Sequence, residues 1–472
     1  MSLASSIARV IDDLLAVPSR PADTSPLALR RADAVMPLNW ARDELLDTAV
    51  RQIARDQGFA DRLFAVVDFT KIPRKPSGAF DTTPAPLFAA WNGRLETRIA
   101  SMAKLAIMYA AFQLLADLKR HSLDPAARDV TALQQLARQA WARAPEPLVR
   151  RILDDTQVRD LDRRVKTLRG GPDLTTMLDI QQAGSSWAIK FRSTGEDATT
   201  LDAIDDLASV PDPSRPGHTM EHPTYRPKVA ALGFLERLQL TIGFSNDVAA
   251  ASCVGDIGLP YMEALLAQSG LLNPGRDPAG LFLASNYDGF EVGHVSSQNF
   301  ADGSTQTSQA GTAEALARFM TLLLQGRLVD EDSSMQMKTL LAKDTNGLGG
   351  TMGTRSFALE GIQLSHGTPL VPVSNPPTQA HSKIGLLTLT NPATRTAHTE
   401  ASDVASIVRP LNDDVGTQLH YVVFALGFAA ASHPTSLAAA HRAAETSAIT
   451  DVRRLASNLD QALADRHTES NP

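Results

Sequence analysis

The chain has 472 residues, 45 lysines and arginines against 52 aspartates and glutamates, and a net charge of −7; 43% of it is hydrophobic and 21% charged. That length supplies two or three compact units with real cores, and the mild acidity argues against a nucleic-acid partner, which needs a concentrated cationic face. The single cysteine, Cys253, excludes an intramolecular disulfide and a cysteine-rich zinc site.

The first 17 residues carry Arg9, Asp12 and Asp13 where a signal peptide would be apolar. The expectation is therefore a cytoplasmic chain, or an exported one whose leader has been removed. Residues 1–60 read as helical, with Leu45, Leu46, Val50 and Ile53 near helical spacing. Two runs rich in Phe, Val and Ala, 63–69 and 87–91, follow on either side of a Pro/Gly-rich connector and read as strands. Residues 101–118 predict a helix apolar on nearly every side, which belongs in the middle of a core. Its apolar run, 105–112, is too short to span a bilayer.

From about 120 to 375 the pattern is mostly helical, interrupted by polar loops at 193–227 and 273–311. Thr312 is placed to cap a helix through Leu316, Phe319 and Leu323 that stops near Gly326. Arg159, Arg163, Arg164, Lys166 and Arg169 read as a solvated helix face. Three strand-like runs, 384–390, 404–408 and 421–428, precede a final helix with Val452, Leu455, Leu459 and Leu463 on one face. Two early and three late strands imply one sheet built from both chain ends. The fold class predicted is α+β: a five-stranded antiparallel sheet flanked by N- and C-terminal helices (1–100 and 376–472), with a mostly helical second part (101–375).

Chemistry is suggested first by Ser101-Met102-Ala103-Lys104. Residues three apart share a helix face. A lysine against an apolar core loses ammonium solvation and so becomes able to accept a proton, and a serine beside such a base becomes a nucleophile. The bland alternative makes Ser101 a helix cap and Lys104 a snorkelling side chain. Two further groups follow along the chain: Ser245-Asn246-Asp247 before an apolar helical stretch, and Lys383-Ile384-Gly385 opening the first late strand. The sequence holds one S-x-x-K and one K-x-G, in that order.

This ordered triplet resembles the serine β-lactamase and penicillin-binding protein superfamily, with its S-x-x-K, S-D-N (or S-x-N) and K-T-G elements, and is closest to the class A β-lactamase pattern. The hairpin before Ser101, the lead-in 96–101, the capped helix after Thr312 and the late strands fit as well, so the resemblance covers roughly residues 45–118 and 230–465. The longer segment 120–230 has no counterpart in it. The resemblance implies Ser101 as acylated nucleophile and Lys104 as its general base. Ser245 would relay a proton to the leaving group, and Lys383 would supply positive charge for an anionic substrate group. The backbone N–H groups of Ser101 and Leu386, the latter beside Gly385, would form the oxyanion hole. The substrate implied is a small or peptide-like amide or ester, with no metal and no cofactor. A penicillin-binding-type peptidase, an esterase, and a binding module that keeps the fold without catalysis remain alternatives.

Three departures carry expectations of their own. Asp247 stands where the family usually has asparagine; it cannot donate a hydrogen bond, and pairing with Lys104 or Lys383 would raise that lysine's pKa and oppose its use as a base. Ile384 and Leu386 replace residues that commonly bear hydroxyls, predicting an apolar rim and a poor fit to penicillin. The loop 275–293 offers Asp277, Asp288 and Glu291 but no E-x-x-x-N to activate a deacylating water. His294, His366 and His381 are far apart and lack a zinc-binding pattern, so His381 reads as an ordinary strand histidine next to Lys383. The glycines at 347, 349 and 350 lack the Lys and Ser/Thr of a phosphate loop and read as turns.

Overall fold

The computed structural model describes residues 18–21, 40–143, 172–215, 219–273, 279–283, 285, 287, 294–295, 306–343, 356–366, 380–411 and 414–469. The arginine-rich run 159–169, the three loop acids of 275–293, the glycines at 347–350 and most of 1–39 lie outside these residues. The chain divides into two compact units, one made of 1–31, 104–268 and 284–293, the other of 32–103, 269–283 and 294–472.

The second unit is built on one antiparallel sheet. Its strands are β1 (Leu63–Asp68), β2 (Leu87–Trp91), β3 (Ala342–Lys343), β4 (Ala380–Asn391), β5 (Thr396–Leu411) and β6 (Asp414–Ser432). They lie in the order β3-β4-β5-β6-β1-β2. The five expected strands are thus present, and a two-residue strand is added at one edge. The late strands run longer than their apolar stretches suggest, because the β4–β5 and β5–β6 ladders continue past the core. Glu44–Asp56, Phe357–His366 and Leu437–Glu469 cover one face of the sheet, burying Leu46, Val50, Val452, Leu455, Leu459 and Leu463 with Phe64, Val66, Ala405 and Val423. Leu45 points away and is 63% exposed.

The helix Ala313–Leu324 is capped by Thr312, whose hydroxyl accepts from Ala315 N, and packs against β1 and β6. Its buried face places 313–324 with the sheet unit, whereas the sequence pattern had placed it in the helical part. Under the covering helices, Asp460 accepts from Arg409 through both oxygens and bonds His366 and Tyr421. This network pins the long C-terminal helix to β5 and β6.

The first unit is mainly helical. Its axis is Lys104–His121, continuing without a break from a 3-10 turn at Ala100–Ala103. By length and composition Ala100–His121 is apolar enough to cross a membrane, yet 89% of the window is buried within the protein. Around it pack Val130–Ala140, Phe234–Gly243, Asp247–Ile257 and Leu259–Gln268.

Among its described residues the segment 120–230 holds strand pairs that periodicity did not reveal, Leu178–Ala183 with Ser186–Phe191 and the short Val210–Pro211 with Thr219–Met220. The stretch 193–227, expected as a loop, contains the helix Ala198–Asp205 and the start of Tyr225–Ala231. It is tied down where Glu236 accepts the backbone N–H groups of Thr194 and Gly195. Pro18–Pro21, read as part of a helix, is a strand paired with Trp141–Arg143; prolines at both ends disfavour a helix there.

Candidate active site

In the sheet unit, the turn carrying Ser101 is fixed from several directions. Thr97–Arg98 pairs with Gln309–Gly311, which pairs in turn with Phe282–Leu283. Arg98 forms a buried ion pair with Glu400 of β5 at 3.4 Å. A bulge between Ala401 and Asp403 faces Gly427, which has φ +62° and gives its N–H to the Ser402 hydroxyl. A Cβ on Gly427 would stand 2.2 Å from the Thr97 hydroxyl, so the bulge and the glycine together make room for the lead-in strand.

The chain then passes through Ala100 at φ +46°, a left-handed conformation that costs a non-glycine residue energy and is tolerated only where the surroundings impose it. Ser101 follows, half-buried.

Strand β4 runs against this turn. A Cβ on Gly385 would lie 2.0 Å from the Ile99 carbonyl oxygen and 3.2 Å from Met102 N. Glycine at 385 is therefore what lets the strand approach the backbone on either side of Ser101. Side chains alternate along a strand, so Lys383 and Gly385 share one face and Ile384 and Leu386 the other. Lys383 is buried, and its Nζ donates to the Ile384 carbonyl at 3.0 Å.

Ile384 belongs to the core beneath the covering helices, and Leu386 packs against that core. This corrects the expectation of an apolar rim: the two side chains sit behind the sheet, and their lack of hydroxyls does not argue against any substrate. On the same rear face, Ser382 donates to Asp403, whose other oxygen accepts from Ser356 and from Ala358 N at the start of Phe357–His366.

In the helical unit, Lys104 is fully buried. Its Nζ donates to the Ser245 carbonyl oxygen and to Asp247 Oδ1, the latter at 2.5 Å, and lies 5.0 Å from the centroid of the Tyr287 ring. Burial holds the Lys104 pKa below the usual lysine value even though the Asp247 charge pulls it upward. Of the two partners anticipated for Asp247, the one observed is Lys104. The Asp247 side chain is 67% exposed, so water screens its half of the pair.

Ser245 adopts φ +60° and Tyr287 φ +54°. Among the described residues, five non-glycine residues have positive φ; one precedes Ser101, one is Ser245 and one stacks by Lys104. Strain of this kind concentrates at functional sites.

Asn246, between the two motif residues, does structural work. Its Oδ1 caps Asp247–Ile257 by accepting from Ala249 N, and its Nδ2 donates to Asp205 and to the Tyr225 hydroxyl. Burial raises the Asp205 pKa, while the bonds from Asn246 and Tyr225 lower it; burial likewise pushes the Tyr225 phenol up to about 12. These two residues and Tyr287 were missed in the sequence: an aspartate in an acidic run and tyrosines in polar loops carry no periodic signal. Cys253 is no rival nucleophile, because burial pushes its thiol up to about 12. Among the described residues, no group of three or more His, Cys, Asp or Glu is placed to hold a metal ion.

No protein-family model and no curated protein matches the chain. Solved structures similar to it include a β-lactamase from Sphaerobacter thermophilus (16% identity, TM-score 0.34, covering 87% of this chain and 95% of that one). Others are the TLA-1 extended-spectrum β-lactamase (10%, 0.38, 87% and 98%) and PBP-A (13%, 0.36, 90% and 98%). Likeness at these values assigns no chemistry to the chain.

Proposed function

We propose that the protein is a serine hydrolase that forms an acyl-enzyme at Ser101 from a small or peptide-like amide or ester. The observation that carries this reading is Lys104: a fully buried lysine, one helical turn along the chain from a half-buried serine, with its pKa depressed by burial. Neutral Lys104 takes the Ser101 hydroxyl proton as Oγ bonds to the substrate carbonyl carbon. The backbone N–H groups of Ser101 and Leu386 receive the developing oxyanion. Ser245 passes a proton to the departing group, and the Lys383 ammonium holds an anionic part of the substrate. Water then cleaves the acyl-enzyme. The close approach at Gly385 supports the oxyanion assignment, because it fixes the backbone on both sides of Ser101 against β4.

β-Lactam hydrolysis is the nominal form of this activity, and a penicillin-binding-type peptidase or an esterase is the variant in which deacylation or substrate differs. Turnover of a panel of small esters, peptides and β-lactams distinguishes them. A β-lactamase releases β-lactam product repeatedly, a penicillin-binding type stays acylated, and an esterase turns over only esters. Ser101→Ala should remove activity while leaving Tm nearly unchanged; equal turnover by that variant refutes the mechanism.

One observation favours a second reading. The Lys104–Asp247 ion pair stabilises the ammonium form, as a fold retained only for binding would tolerate. Under that reading no member of the panel acylates the protein.

A further inference from the structure

The sheet unit contains a cavity of about 530 Å³ that acyl transfer does not use. It lies where the Phe69–Phe80 connector and the helix Glu331–Leu341 cover the ends of β4, β5 and β6. That volume falls in the range that encloses small ligands.

Its most unusual wall residue is Lys338. The side chain is buried, at 8% exposure, and among the described residues its ammonium has neither a hydrogen bond nor an ion pair. A buried charge without a partner is costly. Three more nitrogen-bearing groups line the same space. Arg74 stands at the exposed edge, 4.9 Å over the Phe80 ring, and bonds His420 Nδ1 at 2.6 Å. His381 Nδ1 is buried and has no hydrogen-bond partner.

Burial and the nearby cations push both imidazoles down to about 4, so at neutral pH they are uncharged. Burial and Arg74 hold the Lys338 pKa below the usual lysine value, while the Glu331 charge, 4.0 Å from Lys75 and outside hydrogen-bond reach of Lys338, pulls it upward; Asp68 bonds Arg466 and His467. The remaining wall mixes the polar side chains of Thr70, Thr339, Ser406 and Gln418 with apolar ones, among them Phe69 and Phe80 at a centroid separation of 4.8 Å.

We infer that this cavity is a second ligand site, which takes a small organic oxyanion, a carboxylate or a phosphate, on an apolar body. The oxyanion accepts from Lys338, with Arg74 at the mouth supplying the second positive charge, and the apolar body packs on Phe69 and Phe80. A bare cation is repelled, and a neutral molecule leaves the ammonium unpaired. The site is independent of the acyl-transfer reading, since none of its groups takes part in that chemistry.

Calorimetric titration of the full chain at pH 7 with benzoate, phenyl phosphate, inorganic phosphate and benzyl alcohol tests the inference. Saturable binding of benzoate or phenyl phosphate, at least tenfold tighter than benzyl alcohol, is expected. Benzoate alone identifies a carboxylate site; phenyl phosphate, with competition by inorganic phosphate, identifies a phosphate site. In Lys338→Met the anion affinity should fall at least tenfold while Tm in the absence of anion stays level or rises, because the variant removes an unpaired buried charge. Lys338→Gln serves the same purpose if the methionine variant does not fold. The inference is overturned if no anion binds saturably, if benzyl alcohol binds as well as benzoate, or if the Lys338 variants bind unchanged.

Discussion

Replacing Asp247 by asparagine probes the electrostatics of the proposed base directly. Burial depresses the Lys104 pKa and the Asp247 carboxylate partly restores it. Asp247 is largely exposed but Lys104 is fully buried, so the dielectric of water sets the lower bound of their interaction. Two unit charges at the observed 2.5 Å then interact by at least about 1.7 kcal/mol, and about 1.4 kcal/mol corresponds to one pH unit. Lys104 acts as a base only when neutral, so the rate of Ser101 acylation rises with pH through the lysine pKa. Asp247→Asn removes the charge that favours the ammonium and should move this acid limb down by at least about one pH unit. Acylation at neutral pH should accelerate accordingly. The assay is the pH dependence of the second-order rate of labelling by an activated ester, compared with wild type. An acid limb that stays in place or moves upward would refute the assignment of Lys104 as base.

Other substitutions address the scaffold. Gly385→Ala would drive a Cβ into the Ile99 carbonyl and should cost about 1–3 kcal/mol in denaturant unfolding, with a loss of acylation rate as the Ser101 turn is displaced. Ser245→Gly relieves a left-handed residue and should be level or more stable by about 1 kcal/mol, while its turnover falls if the hydroxyl relays a proton; a stability loss above that size contradicts the strain argument. Asp460→Ala leaves Arg409 buried without its partner and should cost about 3–5 kcal/mol. Burial raises the Asp460 pKa, but the bonds from His366 and Arg409 prevail and hold it below the usual carboxylate value. Its stabilisation is therefore complete above the unfolded-state pKa near 4 and is lost as pH falls through the folded one. Acid-unfolding curves of wild type and Asp460→Ala should converge at low pH.

The parts of the fold legible in the sequence are those whose burial leaves a pattern. The helix after Ser101 lacks a polar face because it is enclosed, and β1 is apolar from Leu63 to Val67 because both its faces are covered. The hairpin Leu178–Ala183/Ser186–Phe191 gave no such signal, since half-exposed strands with glutamines and a lysine need no alternation strong enough to see. Within the candidate site, residue types and their order were readable but side-chain direction was not. Ile384 and Leu386 look like rim residues until the pairing of β4 with β5 turns them toward the rear core. Asp247 was readable as a charge near a lysine; which lysine it meets depends on how the Ser245 turn is held, by Asn246, Asp205 and Tyr225, from segments some twenty and forty residues away.

Intact-protein mass spectrometry after exposure to a fluorophosphonate, an activated ester and a β-lactam, followed by peptide mapping, bears most directly on Ser101. A single adduct on the peptide containing residue 101, absent from Ser101→Ala and strongly slowed in Lys104→Met, is the predicted result. Labelling at another residue, or no labelling by any of the three reagents, would contradict it.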